Sequence, residues 1–250
     1  MKKIYSMITM LAMLLVLSSS TCSGSSDDDD INSEYNTFSR GKRIIKWTNE
    51  VEGGGKITTS YIYDSEGRVV KMFQDKNGKN TTTSFTYGDH FITRIDNNNK
   101  KIEYVVENGL IVRETYNKND MDYYTYENGY LSKIVSKERY VNYIWNNGNL
   151  MEKDEYDNKT GKLIQSEKFE YSNHLDFGTW VITDEEPLWN YKGEQPKNLP
   201  SKEIVTDMKT GSTIQLAFEW IIEGNLPIKC IVKYTDKGST YTNIFTFEWE

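Results

Sequence analysis

Trp180, Trp189 and Tyr191 stand close to Asp184, Glu185, Glu186 and Asn190 in the stretch "TWVITDEEPLWNY". A flat aromatic face stacks on the apolar side of a sugar ring, and carboxylates and amides hydrogen-bond its hydroxyls. Function also concentrates on irregular segments held by a rigid scaffold. Trp180, Trp189, Tyr191 and Glu185 are therefore the candidate ligand-binding residues, with a polysaccharide as the ligand class. The plain alternative is that Trp180 and Trp189 close one end of a sheet as core.

Other chemistry is thinly represented. The two histidines, His90 and His174, each follow a repeated tyrosine by three residues, which places both in hairpin turns. No Cys/His cluster has zinc-ligand spacing. "TDEEP" (183–187) is a dense acidic group that reads either as a calcium loop or as a solvated turn. Most other carboxylates alternate with lysine, as in "MEKDEYD", which is the pattern of a wet strand face. There is no Gly-x-Ser-x-Gly, phosphate loop or nucleotide fingerprint. No pair of acids is singled out for glycoside hydrolysis. The expectation is a protein with no catalytic residues, no metal and no cofactor, and not an enzyme. Of the two cysteines, Cys230 lies in "PIKCIVKY", sharing a strand face with Ile228, Val232 and Tyr234, and reads as a small buried hydrophobe.

The elements that position these residues are strands. Alanine occurs only at Ala12 and Ala217, whereas there are 18 Tyr, 9 Phe and 6 Trp. Strong helix formers are scarce and half-buried pleated surfaces are favoured. "KIEYVVENGLIVRETY" alternates, with Ile102, Tyr104 and Val106 on one face, then reverses at Asn-Gly, whose two positions accept positive φ. The unit recurs at 60–72, 84–95, 103–114, 123–134, 142–153 and 168–178, with a degenerate copy at 218–229. Tyr63, Tyr87, Val106, Tyr126, Trp145 and Tyr171 occupy one position in it, about twenty residues apart. That spacing fits two strands and two turns. The fold class is all-β: an antiparallel meander of about 14–16 strands, mostly six to eight residues long, curled or closed into a barrel-like sheet. Pro187, Pro196 and Pro200 mark a loop or short-helix insertion over Thr183–Pro200.

The first residues form a separate unit. Lys2 and Lys3 precede a mostly apolar run, Ile4–Leu17, then small residues and Cys22. This order is that of a secretory signal, and the apolar run is too short to span a bilayer. It resembles a bacterial lipoprotein signal, with Ser19 and Thr21 where that pattern has Leu and Gly or Ala. "SGSSDDDD" after Cys22 is similar to the acidic tether of surface-exported Bacteroidota lipoproteins. The expected organisation is a signal over 1–21, an acidic tether over 22–37 and one β domain over 38–250. Cys22 is the expected lipidation site, which implies an outer-membrane, lipid-anchored, surface-exposed protein whose partner is membrane lipid. Cleavage after Thr21 takes away two lysines and no acid, moving the net charge from −7 to about −9. With no block of Lys/Arg, nucleic acid is not an expected partner.

The hairpins, such as "YIYDSEGRVVK", are similar to tyrosine-aspartate repeats of surface proteins. "SNHLDF", "PKNLPSKEI" and the terminal "FEWE" resemble a Bacteroidota domain of unknown function, number 4595, described as porin-like in fold. The resemblance covers roughly residues 38–250 and implies an antiparallel barrel-like sheet on a secreted lipoprotein. It carries no catalytic residues. Pro196 stands where members of that family have a serine, so any role of that serine is absent here. A membrane-embedded barrel is not expected, because Lys, Glu, Arg and Asp fall on both strand faces. The function expected is a surface binding protein whose partner is a polysaccharide, or else a structural lipoprotein that contacts another surface protein.

Overall fold

The computed structural model describes residues 42–176, 187–188, 191–236 and 238–250. Among these lie sixteen strands: β1 (Ile44–Val51), β2 (Lys56–Tyr63), β3 (Val69–Lys76), β4 (Lys79–Tyr87), β5 (Phe91–Asp96), β6 (Lys101–Glu107), β7 (Leu110–Asn117) and β8 (Asp120–Glu127), followed by β9 (Tyr130–Val135), β10 (Arg139–Asn146), β11 (Asn149–Asp157), β12 (Leu163–Leu175), β13 (Asn198–Asp207), β14 (Thr213–Glu223), β15 (Leu226–Asp236) and β16 (Ser239–Trp249). Each pairs antiparallel with its sequence neighbours, and β1 pairs with β16, so the meander is a closed barrel. Closure removes the two edges that an open sheet of this length would expose. Cys22 and the segments 1–21 and 22–37 lie outside the described residues.

The Asn-Gly turns fold as their composition requires. Asn77–Gly78, Asn108–Gly109, Asn128–Gly129 and Asn147–Gly148 all have positive φ at both positions, the geometry of a two-residue turn that follows strand twist. His90 lies in the β4–β5 turn with an ordinary φ, and its carbonyl accepts from Val106 N–H at 2.9 Å. His174 departs from expectation: β12 runs on to Leu175, so His174 is an exposed strand residue.

One further expectation is corrected. The insertion ends earlier than Pro200, because β13 begins at Asn198 and includes both Leu199 and Pro200. The prolines sit in strands only where the ladder slips: Pro200 opposite Tyr171 and Pro227 opposite Ile222, both beside a register shift. A residue without an N–H is tolerated there. Nine of the sixteen strands have the expected six to eight residues, and the later ones run longer. β12 has 13 residues and β14, β15 and β16 have 11 each.

One rule organises the barrel interior. Each even-numbered strand ends with two inward positions, two residues apart. The first is aromatic in all eight strands: Tyr61, Phe85, Tyr104, Tyr124, Tyr143, Phe169, Phe218 and Phe247, all in or against the buried core. The second is Tyr63, Tyr87, Val106, Tyr126, Trp145, Tyr171, Trp220 or Trp249. Seven of these eight carry a polar tip, and each tip donates to a backbone carbonyl of the preceding odd strand. The acceptors are Ile44, Val69, Ile111, Leu131, Leu150, Pro200 and Pro227, at 2.6–2.9 Å. Every acceptor lies immediately before an extra residue in its own strand, respectively Ile45, Val70, Val112, Ser132, Met151, Ser201 and Ile228. A bulge disrupts the ladder locally, and the tyrosine or tryptophan supplies a donor at that point. The exception follows the rule. β5 has no register shift against β4, and β6 carries valine. Each such bond contributes about 1 kcal/mol.

Charged and large apolar side chains share the outside. Exposed ion pairs join Lys46 to Glu248, Lys101 to Glu103, Lys168 to Glu152, Lys202 to Glu170 and Lys233 to Glu219, at 2.6–3.0 Å.

Candidate functional site

Of the segment between β12 and β13, residues 191–197 lie against the barrel end that carries the polar-tipped aromatics. Of the four candidate ligand-binding residues, Tyr191 is described. Trp180, Trp189 and Glu185 lie outside the described residues. Tyr191 stacks on Tyr87, with ring centroids 5.9 Å apart and planes 25° apart. Arg68 lies over the same Tyr87 ring, 4.7 Å from its centroid. Tyr126 Oη reaches the Tyr191 carbonyl at 3.4 Å. Three elements distant in sequence therefore meet: the β2–β3 turn, the end of β4 and the insertion.

The turn under Arg68 is internally organised. Asp64 Oδ1 accepts from the Glu66 and Arg68 N–H groups at 2.9 Å each, and Asp64 Oδ2 from Arg68 Nε at 2.8 Å. Desolvation alone would raise the Asp64 carboxyl, but these hydrogen bonds and the guanidinium charge hold it below the usual carboxylate range. Arg68 also meets Glu66 Oε2 at 2.8 Å. Burial pushes the Tyr191 phenol up, against the pull of Arg68. The result is a partly exposed patch of two tyrosine rings, a guanidinium and two carboxylates.

The insertion is seated by backbone contacts. Leu188 is completely buried, and its carbonyl accepts from Tyr191 N–H at 2.9 Å. Glu194 N–H donates to Gly129 O at 2.8 Å, and Lys197 N–H to Gly148 O at 2.9 Å. Gly193 has φ +90, and a Cβ there would lie 2.7 Å from the Gly129 carbonyl oxygen and 3.0 Å from Tyr126 Cδ1. Only glycine permits that approach. Asn149 and Asn198 exchange hydrogen bonds where the chain re-enters the sheet.

Below this end the barrel interior holds polar groups that sequence reading passed over as an alternating wet face. Glu114 is buried and accepts from Tyr124 Oη at 2.7 Å. Lys153 Nζ meets both Glu167 oxygens, at 3.1 and 3.0 Å, from the adjacent strand. Glu203, Asp176 and Lys192 are also fully buried. The signal available was the Phe169–Glu167 spacing: two inward positions of one strand share parity with the repeat tyrosine at 171. Among the described residues no group of three or more His, Cys, Asp or Glu is placed to hold a metal ion.

Comparison with solved structures places the architecture. The barrel is similar to a porin-like protein from Bacteroides uniformis, at 16% identity and a TM-score of 0.64, over 83% of this chain and 98% of that one. A second porin-like protein, from Bacteroides vulgatus, is aligned over the same shares at 10% identity and a TM-score of 0.43. No protein-family model matches the chain, and no curated protein matches it. What the first likeness shows is the fold, an antiparallel, hairpin-built closed barrel.

Proposed function

We propose that this chain is a lipid-anchored, water-facing barrel of the outer membrane surface that binds polysaccharide through its insertion end, without catalysis. The observation that carries the reading is the Arg68–Tyr87–Tyr191 patch, built from three separate elements and held by an insertion docked on the barrel. The outer-wall ion pairs support a barrel outside the bilayer, since each Lys or Arg near a bilayer midplane costs about 2–4 kcal/mol. The porin-like neighbours support a surface or outer-membrane association. The anchor rests on the Cys22 pattern, and membership of the domain of unknown function 4595 on the quoted motifs.

The test is affinity electrophoresis of the purified protein against a panel of polysaccharides. Tyr191→Ala, with an unchanged far-ultraviolet spectrum, should abolish retardation by any polysaccharide that retards the parent. Equal retardation of both would remove Tyr191 from the site. Trp189→Ala and Glu185→Gln extend the same test to the other candidates, and Cys22→Ser should release the protein from membranes.

A second reading has its own observation. Phe73, Phe91, Ile95 and Tyr123 are large apolar side chains exposed on β3, β5 and β8. They offer a contact face for another surface protein. A partner recovered by surface crosslinking, and lost on Phe73→Ser with Ile95→Ser, would favour it.

A further inference from the structure

We propose that the barrel interior is a proton-binding site: Glu203 stands in the folded protein as the neutral acid, and its ionisation destabilises the folded barrel. Glu203 faces inward, opposite Phe169 of β12 and Leu216 of β14. Its relative exposure is 0%, and neither carboxyl oxygen has a hydrogen-bond partner.

The surrounding charges cannot compensate a second anion. β12 contributes Glu167 and Tyr171, and β11 contributes Lys153. Asp176, just past β12, acts with Glu203 on Tyr171. β14 presents Leu216, which is apolar. Lys153 lies against both oxygens of Glu167, and Gln165 Nε2 also donates to Glu167 at 2.7 Å. The Tyr171 hydroxyl is committed to Leu150 O at 2.6 Å. Lys153 is thus hydrogen-bonded to Glu167, and an ionised Glu203 would be a second buried anion accepting no hydrogen bond of its own. Burial, reinforced by the Glu167 charge and opposed by Lys153, pushes the Glu203 carboxyl up to about 8 from its usual 4.5.

The direction of linkage follows. The folded state holds the proton more tightly than the unfolded chain. Between the two values each rise of one pH unit raises the unfolding constant by up to tenfold on account of this group, and above the upper value the effect levels off. The stabilisation is fully present in acid and is lost as pH rises toward about 8.

The experiment is urea unfolding of the protein, Glu203→Gln and Glu167→Gln from pH 5 to pH 9, with carbon-13 spectra of the glutamate carboxyl groups. Relative to Glu203→Gln, the parent should lose close to tenfold in folding constant per pH unit across the window and be the weaker of the two above pH 8. Glu167→Gln frees Lys153 for Glu203 and should move the window to lower pH. One carboxyl carbon should remain at the protonated position at pH 7 and be missing in Glu203→Gln. Parallel pH profiles for parent and Glu203→Gln would overturn the proposal. So would the absence of a protonated carboxyl signal at pH 7. Should Glu203→Gln fail to fold, the parent and Glu167→Gln spectra decide alone, because a signal already ionised at pH 7 in both refutes it.

Discussion

Docking of the insertion turns on Gly193, and a pair of glycine substitutions separates its two roles. Gly193→Ala places a methyl group at φ +90, 2.7 Å from the Gly129 carbonyl oxygen and 3.1 Å from the Leu131 nitrogen. Both obstacles are backbone, so neither can swing aside. Gly78→Ala is the control: its φ is +84, and nothing lies within 4 Å of the added carbon. Both variants share the cost of a left-handed alanine, about 1–2 kcal/mol. Gly193→Ala adds overlap, which in a packed setting costs about 1–3 kcal/mol. That addition has a ceiling, since the insertion can lift off. Lifting exposes Leu188, losing about 1.5–3 kcal/mol of apolar burial, and breaks the Glu194–Gly129 bond, about 1 kcal/mol more. Gly193→Ala should therefore be less stable than Gly78→Ala by about 1–3 kcal/mol in urea unfolding. Hydrogen exchange should locate the difference: the Glu194 and Lys197 amides should lose protection in Gly193→Ala alone. Equal stability of the two variants, with both amides still protected, would refute a docking mechanism based on close backbone approach.

The bulge rule makes a second prediction. Tyr171→Phe deletes only the hydroxyl that donates to Leu150 O and should cost about 1–3 kcal/mol by urea unfolding, since it strands a buried carbonyl. Tyr123→Phe, on the outer wall, should cost less than about 0.5 kcal/mol. Combining Tyr63→Phe with Tyr171→Phe should give additive losses, because the two bonds sit in separate hairpins. Val106→Tyr should bring no gain, since β5 has no bulge for the new hydroxyl to serve; a clear rise in melting temperature would break the rule. Cys230 is 2% exposed and its thiol is pushed far up by burial, with the Glu219 charge adding to it. An aromatic disulfide reagent should fail to label it in the native state and label it fully in urea; fast native labelling would mean that the β14–β16 wall opens readily.

The barrel was legible in the sequence because the chain is locally consistent. Alternation, Asn-Gly turns and, Val106 apart, a tyrosine or tryptophan every twenty residues or so point to the same hairpin, and β2–β11 follow it closely. The bulges were not legible, since an extra residue such as Met151 or Val112 shifts parity within a short run and looks like imperfect alternation. The start of β13 escaped for a related reason: Pro200 read as the end of the insertion, yet it sits beside a bulge, where no ladder donor is required. The candidate site was legible in part. Tyr191 stood out as an aromatic in the segment that interrupts the repeat, but Arg68 and Tyr87 belong to ordinary repeat units. Only the packing of residues 191–197 against the barrel end brings them together. Glu167 and Glu203 were hidden by resembling solvated strand charges, and β12 turns inward what the lysine-carboxylate alternation suggested was wet.

Pairing of β1 with β16 has a kinetic consequence. Fifteen of the sixteen ladders join strands that follow one another in sequence, and all but the β12–β13 ladder, whose connection runs over 176–197, close over short loops at small entropic cost. The remaining ladder brings together residues as far apart as Lys46 and Glu248, 202 positions along the chain. Hairpins can form independently and early, while the seam must wait for the whole sheet to curl. The species that precedes it has two unsatisfied edges and is the one most prone to join another chain. Arg43 and Glu250 already exchange backbone hydrogen bonds of 3.1 and 2.9 Å. A permuted chain with these residues linked and the backbone opened at the Asn99 turn would make that late seam local. Its slow step would move to the β5–β6 ladder, and the final barrel would be unchanged.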